Sequence, residues 1–168
     1  MPYSASLFSQ ILSLVPQSQF NRIVNQYGGN RYVKRFTCWD QLVAMMFCQL
    51  GQAHSLREIC GGLATCLGKL LHLGMKESPK RTTLARANES RNWEIFRDLF
   101  FVLLQSAQHE FKGKRKFRFK NKLYSFDSSV IDLSVSLFDW AKFRLTKGAV
   151  KLHLLLDHDG YLPSFAHI

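Results

Sequence analysis

Apolar and polar positions change period part-way along the chain, and that change divides it. Leu42, Val43, Met46, Phe47 and Leu50 recur three or four residues apart, which predicts a helix starting behind a Thr37 cap and stopped by Gly51. Ser55-Leu-Arg-Glu58 has the spacing in which each side chain can satisfy the other's free backbone amide, so a second helix starts there, weakened in its middle by Gly61-Gly62. An apolar segment Leu70 to Leu73 follows, broken by Gly74 and Pro79. A short helix at Lys80 to Asn88 and a long amphipathic helix from about Trp93 to His109 complete the helical part. Beyond it the residues become branched and aromatic in short runs, and Tyr124 to Leu133, Ala149 to Asp157 and Tyr161 to Ile168 are expected as strands. Between the last two, Asp157-His-Asp-Gly160 supplies the turn of a hairpin. There is no internal repeat.

The fold class expected is therefore α+β, with a helical, helix-turn-helix-like domain over residues 1–110, a basic hinge over 111–122 and a strand-rich part over 123–168. A chain of 168 residues that is 46% apolar, with fourteen Phe, can bury a core, which rules out wholesale disorder.

Charge sharpens the picture. Residues 1–110 carry twelve Lys plus Arg against seven Asp plus Glu, residues 111–125 carry seven against none, and residues 126–168 carry four against five. The net charge of +11 favours a polyanionic partner, nucleic acid first and an anionic membrane surface second. In the hinge, Lys112, Lys114, Arg115, Lys116, Arg118 and Lys120 would neutralise phosphates, and Phe117 and Phe119 could stack on bases. The same run also reads as a solvated connector. Lys80, Arg81, Thr82, Thr83 and Arg86 fall where a short helix could offer them to a DNA groove, although a solvated helix in a small bundle has the same pattern.

The four cysteines lack the Cys-x-x-Cys spacing of a zinc or redox site and are expected as buried free thiols. No apolar run reaches membrane-spanning length and no secretory signal opens the chain, so a cytoplasmic, soluble protein is expected. Asp127 lies among apolar neighbours, where a carboxylate is costly unless paired or functional. A strand-borne carboxylate suits two-metal phosphoryl chemistry, and an ion-paired structural Asp suits the same position. His153, Asp157, His158 and Asp159 invite a metal, but the Asp-Gly turn accounts for both aspartates without one.

Leu123 to Leu133, Phe138 to Arg144, Lys147 to His153 and Leu156 to Pro163 resemble, in order, the opening of the catalytic domain of DDE transposases of the insertion-sequence 4 group. Phe36 to Phe47, Ser55 to Ile59, Leu71 to Gly74 and Thr83 to Glu89 are similar to the helical domain of unknown function that commonly precedes it. The resemblance implies a ribonuclease-H-like domain in which Asp127 is the first of three metal-binding carboxylates holding Mg²⁺ for cutting and joining DNA. It implies DNA, at the ends of an insertion element, as partner, contacted by the helical region, by the hinge and by Lys147 and Lys151.

The second Asp and the Glu of a Tyr-x-x-Arg-x-x-x-Glu helix have no counterpart before Ile168, so a truncated copy, inactive alone, is expected. The alternatives are a stand-alone DNA-binding protein, or an inhibitor that occupies element ends or pairs with full-length transposase; a second copy of the chain is a further candidate partner. A bacterial, nucleoid-associated location follows from the same resemblance. A structural module that is charged only for solubility stands as a third reading.

Overall fold

The structure is a computed structural model and describes residues 6–66, 68–111, 121–133, 142–144, 147–158 and 162–167. The chain is α+β and divides into two compact units, residues 1–99 and 100–168. The helices are α1 (Leu7–Ser13), α2 (Gln17–Gln26), α3 (Cys38–Leu50), α4 (Leu56–Thr65), α5 (Arg81–Ser90) and α6 (Glu94–Phe111), with a 3-10 turn at Leu70–Leu73. The strands are β1 (Tyr124–Leu133), β2 (Lys142–Arg144), β3 (Lys147–Asp157) and β4 (Leu162–His167).

Local chemistry explains where the helices start. Thr37 accepts from the Asp40 amide at 3.2 Å while the Asp40 carboxylate accepts from the Thr37 amide at 2.6 Å, so two otherwise orphaned donors are satisfied at the head of α3. At α4, Ser55 Oγ accepts from the Glu58 amide at 3.2 Å. The Glu58 carboxylate reaches past the cap to the His54 amide, at 2.9 Å, instead of closing the reciprocal bond on Ser55. Hydrogen bonds donated to the carboxylate by the His54 amide and, second, by the Ser55 hydroxyl, at 2.9 Å, hold its carboxyl below the usual range.

The core of the first unit draws one apolar face each from α2, α4 and α5, and the more fully buried first half of α3. Phe20, Ile23 and Val24 of α2, Val43 and Ala44 of α3, Ile59 and Leu63 of α4 and Leu84 of α5 are buried, with Met75 and Ile95. Gly62 leaves α4 unbroken and is required by packing, because a Cβ there would lie 2.7 Å from the Phe47 ring. Gly74 adopts φ +76 after the 3-10 turn, and a Cβ there would lie 2.7 Å from Trp39 Nε1, which donates to the Leu73 carbonyl at 2.9 Å.

In the second unit, β1, β3 and β4 form an antiparallel meander, with β2 pairing the start of β3. Tyr124 opposes Asp157 and Leu133 opposes Gly148; across the other edge of β3, His153 opposes His167. Gln108 of α6 donates to the Pro163 carbonyl at 3.0 Å. β3 begins two residues earlier than its branched run suggests, because Lys147 and Gly148 are held by β2, a strand too short to show a period. The basic hinge from Lys112 to Lys120 lies outside the described residues.

Candidate nucleic-acid interface

α5 buries Leu84 and Ala87 and leaves Arg81, Thr82, Thr83 and Arg86 exposed, with Lys80 exposed just before it. Three of these five, Lys80, Thr83 and Arg86, line an open groove of about 1450 Å³ in the first unit. Its other walls are the loop from Tyr27 to Thr37 and the segment from Gly74 to Pro79. The groove thus gathers Arg31, Lys34, Arg35, Lys76, Lys80, Arg86 and Arg91 against two carboxylates, Asp40 and Glu77. Arg31, Lys34, Arg35 and Lys76 were not among the residues expected from sequence. The signal available for them was the density of Lys and Arg between Arg31 and Arg35, forty-odd residues from α5 in the chain.

Both carboxylates are occupied. Asp40, 8% exposed, is held in the α3 capping box by Thr37. Glu77 lies 3.9 Å from Arg35, with both side chains well exposed, a geometry worth little in water. Lys34, Lys76, Lys80 and Arg86 have no carboxylate partner among the described residues. The groove therefore carries a net positive field focused between low-dielectric walls, which concentrates polyanions. No acidic side chain stands in the first turn of α5 and no side chain caps it, so nothing there opposes an anion.

Arg91 differs from the other cations. Its guanidinium donates to the carbonyls of Thr37, at 2.8 Å, and Phe36, and to Gln41 Oε1 at 3.0 Å, and it stacks 5.3 Å from the Phe36 ring centroid. Gln41, almost fully buried, passes the network on to Asn88 at 2.8 Å. Burial lowers the Arg91 pKa, and Cys38 and Asp40 oppose that shift. Arg91 is thus a latch fixing one groove wall to the end of α5.

Residues 4–76 match a family model. They carry a domain of unknown function (DUF4372). The DUF4372 domain takes in the segments Phe36 to Phe47, Ser55 to Ile59 and Leu71 to Gly74, and it contributes every groove cation up to Lys76; α5 lies beyond it. No curated protein and no solved structure matches the chain.

In the second unit, Asp127 sits on β1 opposite Leu154 and accepts from Ser129 Oγ at 2.9 Å. It is exposed, so its charge has no burial cost to offset, and the apolar Phe126 and Val130 near it in the strand are themselves exposed. Among the described residues no group of three or more His, Cys, Asp or Glu side chains is positioned to hold a metal ion. A lone exposed carboxylate does not fit a pair of magnesium ions, which take several oxygen ligands each.

Asp157 instead pairs with Lys122 at 3.0 Å, and His158 lies 2.5 Å from Ser125 Oγ. Lys151 is exposed on β3, opposite Val130. Lys147 is placed in β3, and Asp159 lies outside the described residues. The four cysteines are free; Cys38 is buried, while Cys48, Cys60 and Cys66 are only partly so. Burial pushes the Cys38, Cys48 and Cys60 thiols up. Among the described residues no helix is long and apolar enough to cross a membrane.

Proposed function

We propose that this chain binds DNA through the cationic groove of its helical unit, as the DNA-gripping part of a DDE-type transposase. The observation that carries the reading is the groove itself, seven cations against two carboxylates that are already engaged. The motif resemblance supplies the reaction class and the ends of an insertion element as the DNA. Residues Lys80, Arg81, Thr82, Thr83 and Arg86 take the role of a helix presented to the duplex, with the hinge cations and Lys147 and Lys151 as further backbone contacts. Asp127 takes the place of the first metal-binding carboxylate of a ribonuclease-H-like domain. The described residues supply no set of metal ligands around it.

A second reading, a DNA-binding protein or transposase inhibitor without catalysis, is favoured by the exposure of Asp127, which among the described residues accepts a side-chain hydrogen bond from the Ser129 hydroxyl. Both readings place the chain with DNA, alone, with a second copy or with a full-length enzyme.

The test is the salt dependence of binding of the whole chain to a duplex of about two helical turns, followed by fluorescence anisotropy between about 50 and 200 mM salt. Each phosphate contact contributes about 0.9 to the slope of log affinity against log salt, so Lys80→Ala with Arg86→Ala lowers the slope by about 1.8. A slope unmoved by that double substitution, or binding indifferent to salt, refutes the groove. Asp127→Asn leaves DNA affinity unchanged in both readings. Nicking of the element's ends by the wild-type chain with Mg²⁺ and not by Asp127→Asn selects the transposase over the inhibitor.

A further inference from the structure

Tyr32 stands in the loop that forms one wall of the groove, between two residues, Arg31 and Val33, that line it. Tyr32 is 87% exposed, the most exposed of the large hydrophobic residues described. Its backbone is at φ +61, a left-handed conformation in which a side chain is crowded and which bulky residues seldom occupy. Outliers of this kind persist where the surrounding structure fixes them, and they gather at binding sites. Here the fixing is done by neighbouring turns, in which the Arg31 amide bonds the Gly28 carbonyl at 2.9 Å and the Val33 amide bonds the Asn30 carbonyl at 3.1 Å.

Arg31 backs the ring. Its guanidinium carbon lies 5.0 Å from the ring centroid and its Nη2 donates to the Tyr32 hydroxyl at 3.1 Å. One cation therefore serves both the groove and the ring, and the rest of the ring is left to water. An exposed aromatic beside a cationic groove, flanked in the chain by two residues that line it, is complementary to a flat π-face joined to phosphates. In an intact duplex every base face is already covered by its neighbours, so the ligand that uses both features has an unstacked base.

We propose that Tyr32 is a stacking platform for an unpaired or extruded base, and that the groove prefers nucleic acid with a bulge, fork or single-stranded step over a perfect duplex. The inference rests on the groove binding nucleic acid. Base–aromatic stacking is sequence-tolerant, so the preference is for structure and not for a particular base.

The experiment compares two DNA probes with the whole chain: a perfect duplex, and the same duplex carrying one bulged 2-aminopurine. The wild type is expected to bind the bulged probe about tenfold more tightly and to quench its fluorescence. Tyr32→Ala removes the preference and the quenching while leaving duplex affinity unchanged, and Tyr32→Phe retains both. Tyr32→Gly removes the ring while accommodating the left-handed backbone, so it gives the same result if the alanine variant folds poorly.

Equal wild-type affinity for the two probes overturns the proposal, as does a bulge preference that survives Tyr32→Gly. If Lys80→Ala with Arg86→Ala still weakens binding in that case, the groove stands and only the platform is lost. If the double substitution changes nothing, the groove reading fails with it. Capture of a protein partner through Tyr32 with no bulge preference also overturns the assignment.

Discussion

Replacing Arg91 by Met keeps most of the side-chain volume and removes the guanidinium that latches the Phe36 and Thr37 carbonyls and Gln41 to the end of α5. Hydrogen bonds from a charged donor contribute about 1.5–3 kcal/mol each, and an acceptor left without its donor costs about 1–3 kcal/mol. The three bonds share one group and do not add. Recovered guanidinium desolvation offsets part of the loss, so the net cost is about 3 kcal/mol. In a domain of about 100 residues, ~1 kcal/mol moves Tm by about 4–8 °C, giving a fall of about 12–24 °C. Thermal melts at 222 nm, which report the helical unit, measure it. Arg91→Lys keeps the charge but not the planar fork, and its Tm falls between the two. A fall of less than about 4 °C for Arg91→Met would show that water replaces the guanidinium without loss and that the loop does not depend on the latch.

Gly74→Ala combines a strained positive φ with a Cβ only 2.7 Å from Trp39 Nε1. It is expected to cost about 2–4 kcal/mol, read as a lower urea midpoint with unchanged slope. The Asp98 carboxyl is held below its ordinary value, chiefly by the hydrogen bond from the Tyr27 hydroxyl and then by Arg97. A depressed folded-state pKa contributes stability that is complete above the unfolded value, near 3.9, and is lost as pH falls through the folded one. Asp98→Asn should flatten the acid limb of a stability–pH profile below about pH 4 and leave its slope near neutrality unchanged. An acid limb of unaltered slope in the variant would assign it to other carboxylates.

α3 and α4 are legible through a period together with a cap, α5 through the break at Pro79 and α6 through its amphipathic period. Thr37 with Asp40 and Ser55 with Glu58 mark the starts of α3 and α4 within the residues that form them. α2 was overlooked because its Gln- and Asn-rich surface hides an apolar face of only Phe20, Ile23 and Val24, although those positions have helical spacing. β2 was overlooked because three residues are too few to alternate visibly. Of the seven groove cations, Lys80 and Arg86 were legible as candidates, with Thr83 between them. The rest depend on tertiary placement, which brings Arg31 and Lys34 to α5 across about fifty residues of chain. Tyr32 was not legible at all, since neither its exposure nor its positive φ has a sequence signature when the residue is not Gly or Asn.

The order of elements along the chain also bears on how the molecule is made. Everything that shapes the groove, from Tyr27 to Asn92, precedes the first strand, whose residues start at Tyr124. At about 5–20 residues per second on the ribosome, the thirty-odd residues between them take seconds to synthesise, whereas helices form in about a microsecond. The helices that wall the groove therefore form while the strands of the sheet are still being synthesised.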